Sequence, residues 1–170
     1  AATHDDPAGL RHQLIEEIRL FESRCKQAEM PFEMIIGARY CLCSALDEAA
    51  AQTPWGSRGV WSGSGLLVTL HNESWGGEKV FQLLARLSQN PVQHLWLLEV
   101  IHYCLLLGYE GRYRGVDNGR LQRDGVRARL AQLIQSVRNT PAAAEIPLVE
   151  TPRKNTLWHP PVPLWTCFSV

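Results

Sequence analysis

The sequence has no surplus of either charge: 17 Lys and Arg stand against 17 Asp and Glu in 170 residues. That balance excludes the uniformly basic surface of a protein that grips nucleic acid mainly through its phosphates. Long apolar runs are missing too. The most apolar stretch, Leu95 to Leu107, spans 13 residues and contains Glu99 and His102, short of the roughly 20 residues that cross a bilayer. No alternating segment is long enough to argue for a sheet, and there is no internal repeat. The opening AATHDDPAG has no initiator Met, no basic region and no apolar core, so it is not a signal peptide and reads as the start of a piece cut from a longer protein. Cysteine is scarce and odd in number: of Cys25, Cys41, Cys43, Cys104 and Cys167, four lie in apolar, helix-patterned stretches. That suits buried thiols in a reducing compartment better than a disulfide framework.

What is present is enough for a core. With 45% hydrophobic and 20% charged residues, the chain makes one domain, or two small ones sharing a core, and buries roughly 65–70% of its unfolded surface without help from metal or disulfide. The zero net charge hides a division. Ala1 to Glu78 holds 6 basic and 11 acidic residues, Lys79 to Val170 holds 11 basic and 6 acidic, giving −5 and +5. Acids and bases can satisfy each other across that line or face different partners.

Helical periods dominate. Asp6 before Pro7 starts a helix whose apolar positions are Leu10, Leu14, Ile18, Phe21, Cys25 and Ala28. Pro31 opens a second, Phe32 to Ala51, apolar on most sides and therefore central in a bundle. Gln52 to Gly65 reads as an irregular connection, Leu66 to Leu70 as a short helical piece, and Glu78 to Leu87 as an amphipathic helix. A buried helix from Val92 to Leu107 follows, then a glycine-rich segment, then a last helix over about Arg120 to Arg138. Beyond Asn139 the chain becomes Pro-rich, loses its helical period and reads as a linker finishing on Leu164, Trp165 and Phe168. The fold class is all-α, with about six to seven helices.

Tests for chemistry give little. Glu99 and His102 form an E-x-x-H pair, but the di-iron arrangement needs a second pair and two more glutamates; a hydrogen-bonded pair is the simpler expectation. Cys41 and Cys43 diverge around a helix rather than chelate. No G-x-S-x-G elbow is present, and Gly76-Gly77 before Glu78 suits a helix start better than a phosphate loop. Asp47 and Glu48 share a stripe with Ser44 and Tyr40 on a helix that is otherwise buried, so they must be satisfied internally or line a cleft. Two readings stay open: a salt bridge to Arg39 or to the last helix, or a cleft acidic enough to receive a basic partner segment. On the second reading, reversing both charges weakens partner binding and leaves stability nearly unchanged. Arg112, Arg114, Arg120, Arg123, Arg127 and Arg129 are expected to pair with acids of neighbouring helices, since no aromatic stacking platform lies among them.

Three segments stand in succession around Trp61: ALDEAAAQTPWG (Ala45 to Gly56), LLVTLHNESWGGEKVFQLLARL (Leu66 to Leu87) and LEVIHYCLLLGYEGRYRG (Leu98 to Gly115). Together they resemble the DotU/TssL family, also called IcmH: the inner-membrane subunit of bacterial type VI secretion systems and its type IVB counterpart. The resemblance covers most of Leu10 to Arg138. It implies a non-enzymatic assembly protein that uses no cofactor or metal. Its helical domain would lie in the cytoplasm as two small packed bundles arranged as a hook. Residues 1–138 would form that domain, and 139–170 would lead to a membrane helix outside this chain. The implied partners are the membrane protein TssM, baseplate proteins such as TssK, and a second copy of the chain, with no nucleic acid. Position by position, the D-E motif falls on Asp47 and Glu48. The H-N-E-x-W-G-G-E segment brings in Glu73, Trp75, Gly76, Gly77 and Glu78. The glycine-arginine segment contributes Gly108, Gly111, Arg112, Tyr113 and Arg114, and Trp55 completes the candidates for partner contact or cleft lining. The competing expectation is a small helical metal- or cofactor-dependent enzyme using Glu99, His102 and His71.

Overall fold

A computed structural model describes residues 6–140. The Pro-rich end, with Cys167 and the final apolar residues, lies outside the described residues. Within them there are seven α-helices and no strand: α1 (Pro7–Gln27), α2 (Phe32–Ala51), α3 (Val60–Gly63), α4 (Leu66–His71), α5 (Gly77–Leu87), α6 (Leu95–Leu106) and α7 (Gly119–Asn139). A short 3₁₀ turn, Gly111–Tyr113, sits between α6 and α7.

The local chemistry explains most boundaries. The Asp6 carboxylate accepts the Gly9 amide at 2.9 Å and caps α1, with Pro7 fixing the first helical φ. α1 stops at a residue in the left-handed region, Glu29, two positions before Pro31. α2 buries Ile35, Ala38, Tyr40, Cys41 and Cys43 almost completely, because α1, α3, α4, α5, α6 and the 3₁₀ turn all pack on it. The described helices share one continuous apolar core. α5 buries Val80, Phe81, Leu83, Leu84 and Leu87 along one face, and fully burying side chains of that kind stabilises the fold by roughly 1.5–3 kcal/mol each. α6 is packed between α2, α5 and α7.

Two boundaries differ from expectation. The segment 52–65 is not wholly irregular: α3 forms there, with Trp61 only 4% exposed. α6 begins at Leu95 rather than Val92, because residues 91–94 are turns after Pro91, and Val92 stays exposed while His94 is buried at the helix start. The thiols behave as expected. Cys25, Cys41, Cys43 and Cys104 are free and buried, and burial pushes Cys43 up to about 12 and Cys104 to about 11.

Candidate functional site

The last full turn of α2 organises the site. Consecutive helix positions lie about 100° apart, so Asp47 and Glu48 face different segments. Asp47 accepts the Trp61 indole N–H at 3.1 Å and the amides of Leu66 and Leu67 at 2.8 and 2.9 Å. It thereby holds α3 and starts α4, which has no capping side chain of its own. Glu48 accepts the amides of Glu110 and Gly111 at 2.7 and 2.8 Å through its two oxygens. One pair of carboxylates thus ties together segments about 20 and 60 residues away.

Both carboxylates are committed to backbone donors, which corrects two expectations. No salt bridge joins either acid to Arg39 or α7 among the described residues. Arg39 instead donates to Glu22 at 2.7 Å, to His71 Nε2 at 3.0 Å and to the Leu70 carbonyl at 3.1 Å. The acids also do not offer free carboxylates to a basic segment. Reversing their charge would remove the acceptors of buried amides and destabilise the fold, not just block a partner.

A cleft is present nonetheless, of about 460 Å³, and it gathers most of the candidates: Asp47, Glu48, Trp75, Gly76, Gly77, Arg112 and Arg114, together with Ser44 and Tyr109. Gly76 is required by contact, since a β-carbon there would come within 2.2 Å of Ser44 Oγ and 3.0 Å of the Tyr40 ring. Gly111 is required by conformation, with φ of 53°. Trp75 is 60% exposed and lies against Gly77 on the wall. Arg112 is held in place by Glu78 at 3.2 Å, by the Tyr113 hydroxyl at 3.0 Å and by the Phe81 ring 5.0 Å beneath its guanidinium. Arg114 is exposed.

The remaining candidates support the walls from outside. Glu73 accepts from the Tyr40 hydroxyl and from Lys79, each at 2.7 Å. Trp55 packs edge-on against Trp61 at 5.7 Å, behind Asp47, and Tyr113 packs edge-on against Phe81 at 5.0 Å. Two floor groups have a role that composition alone did not show. The hydroxyls of Ser44 and Tyr109 are buried without a hydrogen bond of ordinary geometry, although Ser44 lies close enough to Tyr109 to bias its titration. Burial and the nearby Glu48 push the Tyr109 phenol upward, so it stays neutral. Ser44 was legible from its place on the Tyr40–Asp47–Glu48 stripe; Tyr109, inside the glycine-arginine segment, had no periodic signal.

Other constellations resolve differently. Glu99 pairs with Arg138 across the α6–α7 groove, so the expected Glu99–His102 pair does not form. His102 lines the same groove, its titration lowered by burial and by Arg127 against the opposing pull of the nearby Glu99, to which it makes no hydrogen bond. His71 is on α4, neutralised by burial and Arg39 down to about 4. Among the described residues, no three His, Cys, Asp or Glu side chains are grouped to hold a metal. Four of the six arginines pair: Arg112 with Glu78 of α5, as expected, but Arg120 and Arg123 with Glu110 of the preceding loop, and Arg123 and Arg127 with Asp124 of their own helix; Arg114 and Arg129 make no ion pair among the described residues.

Comparison with known proteins bears on this geometry. The model of the type VI secretion system protein DotU family matches residues 1–170. The fold is similar to a crystal structure of TssL from Vibrio cholerae, with a TM-score of 0.75 and 38% identity over 79% of this chain and 88% of that one. It is also similar to the cytoplasmic domain of TssL from Acinetobacter baumannii, with a TM-score of 0.71 and 28% identity over 78% and 84%. Curated sequences give no match.

Proposed function

The chain belongs to the DotU family of type VI secretion system proteins, and from that premise we propose that its helical domain works as a docking scaffold, with the cleft between α2, α5 and the 3₁₀ turn as the contact site for other subunits. Membership makes it a type VI secretion component of the TssL kind. The finer assignments are part of the proposal. The partners are the membrane protein TssM and baseplate proteins such as TssK, and the protein acts by binding, not by catalysis. Anchoring to the inner membrane comes through a helix beyond the linker that starts after Asn139, which would place the described domain in the cytoplasm. No helix among the described residues is long and apolar enough to cross a membrane.

The observation that carries the docking role is the convergence of Trp75, Arg112 and Arg114 on the rim of a cleft whose frame is fixed by Asp47 and Glu48. Exposed Trp and Arg beside a preformed pocket are the residue types that dominate interface energetics. The frame explains why binding residues sit on loops yet hold one geometry: each loop is tied to α2 through charge-assisted hydrogen bonds. The test is capture of the cytoplasmic part of TssM and of TssK by the purified domain, comparing the native chain with Trp75→Ala and Arg114→Glu. Both side chains are exposed, so the variants keep the fold. Loss of capture by folded variants supports the reading, and undiminished capture of both partners refutes it.

A further inference from the structure

We propose that the groove between α5 and α7 is a second docking surface, and that its occupant is an amphipathic helix of a partner polypeptide with an acidic residue beside its apolar stripe. The site is separate from the cleft, with which it shares only Arg112.

The groove exists because α5 and α7 both pack on α6 and on the 3₁₀ turn, and not closely on each other. Its volume is about 360 Å³. α5 contributes Phe81, Leu84 and Ala85 to it, and α7 contributes Val126, Leu130 and Leu133. The floor of Phe81, Leu84 and Leu130 is closed, at 7% exposure or less. Ala85 is exposed and Val126 and Leu133 are half-buried, so an apolar stripe laid between the walls covers surface that the fold itself leaves open.

Hydrogen bonding selects the form of the occupant. The Ser88 hydroxyl on the α5 wall already donates to the Leu84 carbonyl at 2.7 Å, and both walls are helices, whose backbone groups bond along their own axes. An extended segment would bring amides and carbonyls that nothing here satisfies. A helix arrives with its own satisfied and offers apolar residues at i, i+3 or i+4 and i+7 to a narrow trough.

Charge selects the flank. No Asp or Glu lines the groove, and neither α5 after Glu78 nor α7 after Asp124 contains one. Of the bases on those stretches, Lys79, Arg127 and Arg138 are paired with acids. Arg86 and Arg129 make no ion pair among the described residues, which leaves these two walls with a surplus of one sign. Arg112 closes one end of the groove, 5.0 Å over the Phe81 ring and already paired with Glu78 at 3.2 Å. Arg129, exposed on the α7 wall, is the cation left to meet an incoming carboxylate, and a base in its place would be repelled.

The experiment uses the ¹⁵N-labelled chain and three hydrocarbon-stapled peptides of about 15 residues, long enough to hold a helix. The first has a leucine stripe flanked by glutamates, the second has lysines for the glutamates, and the third scrambles the first so that the stripe is lost. The acidic peptide is expected to shift the Ala85, Ser88, Arg129 and Leu133 amides. Its affinity should fall about tenfold on scrambling and about tenfold in Arg129→Glu, with Arg129→Gln between, while the lysine peptide should bind Arg129→Glu better than the native chain. Arg129 is exposed, so both variants keep the fold, which circular dichroism checks. Trp75→Ala, in the cleft, should leave peptide binding unchanged, so this site and the cleft stand or fall separately. The proposal is overturned by absence of shifts at millimolar acidic peptide, by equal shifts with the lysine or the scrambled peptide, by affinity indifferent to Arg129, or by shifts confined to the Gly77 and Gly111 amides of the cleft. It is also overturned if dilution of the chain without peptide moves the same groove amides, which would assign the groove to a second copy.

Discussion

Glu48→Gln tests whether the acidic pair is a frame. Glu48 receives the Glu110 amide at 2.7 Å and the Gly111 amide at 2.8 Å, one on each oxygen. Glutamine keeps the length and volume of the side chain, so no cavity confuses the result. It keeps one acceptor and turns an NH₂ group toward the other amide, placing donor against donor. Hydrogen bonds to charged groups contribute roughly 1.5–3 kcal/mol each, against about 1 kcal/mol for the neutral bond that remains. Glu48 is half-buried, so solvent offsets part of the loss, and a destabilisation of about 2–4 kcal/mol is expected. That is a large share of the roughly 5–15 kcal/mol typical of a domain, yet it leaves the chain folded in the cold. Urea unfolding followed by far-UV circular dichroism measures the loss, and amide hydrogen exchange locates it. The Gly111 amide should lose protection while the amides in the middle of α1 do not. Changing Asp47 and Glu48 together to lysine should unfold the end of α2 and both attached segments. If Glu48→Gln costs less than about 0.5 kcal/mol and leaves Gly111 protected, Glu48 is not holding the 3₁₀ turn and the framing argument fails.

Gly76→Ala should cost about 1–3 kcal/mol, because the new methyl meets Ser44 Oγ at 2.2 Å. Ser44→Ala alone should cost less than that, since its hydroxyl makes no hydrogen bond of ordinary geometry beyond its approach to Tyr109, so thermal melts of the double variant should recover part of the Gly76→Ala loss; strict additivity would refute the contact. His71 gives a pH dependence of definite sign. Its native value of about 4 lies below its ordinary 6.5, so between these the unfolded chain binds a proton that the native chain does not. Stability therefore rises with pH across that window, by about 3 kcal/mol at most, and is complete above it. Urea midpoints at both ends of the window, compared between the native chain and His71→Gln, should show a flatter profile in the variant; identical profiles would count against it.

How far this could be read from residues alone depends on the range of each interaction. α1 was legible because cap, proline and apolar period all lie within one segment; so was α5, whose five apolar residues share a face. α3 was not, because a four-residue helix inside a glycine-rich stretch owes its existence to Trp61 packing in the core and to Asp47, 14 residues upstream. The stripe on α2 told that Asp47 and Glu48 needed partners. It could not tell that backbone amides would be those partners, since an amide has no sequence signature. Arg39 illustrates the same limit. It is the basic residue nearest to the acidic pair in sequence on α2, yet its guanidinium turns to Glu22 of α1 and to α4.

The charge division of the sequence has a structural counterpart that differs from mutual neutralisation. Most ion pairs among the described residues stay on one side of Glu78: Glu16 with Arg19 and Glu22 with Arg39 before it, Glu99 with Arg138, Glu110 with Arg120 and Asp124 with Arg127 after it. Crossing occurs at the start of α5, where Glu73 meets Lys79 and Glu78 meets Arg112. Meanwhile the acidic part spends Asp47 and Glu48 on amides rather than on the arginines of the basic part. Arg114 on the cleft rim and Arg129 beside the α5–α7 groove are thereby left without an ion pair. Neutral amides satisfy the hydrogen bonds of Asp47 and Glu48 without cancelling their charge, so the cleft presents both signs side by side. Association through this face should therefore depend on salt less steeply than at a surface of one sign, because screening weakens attraction and repulsion together.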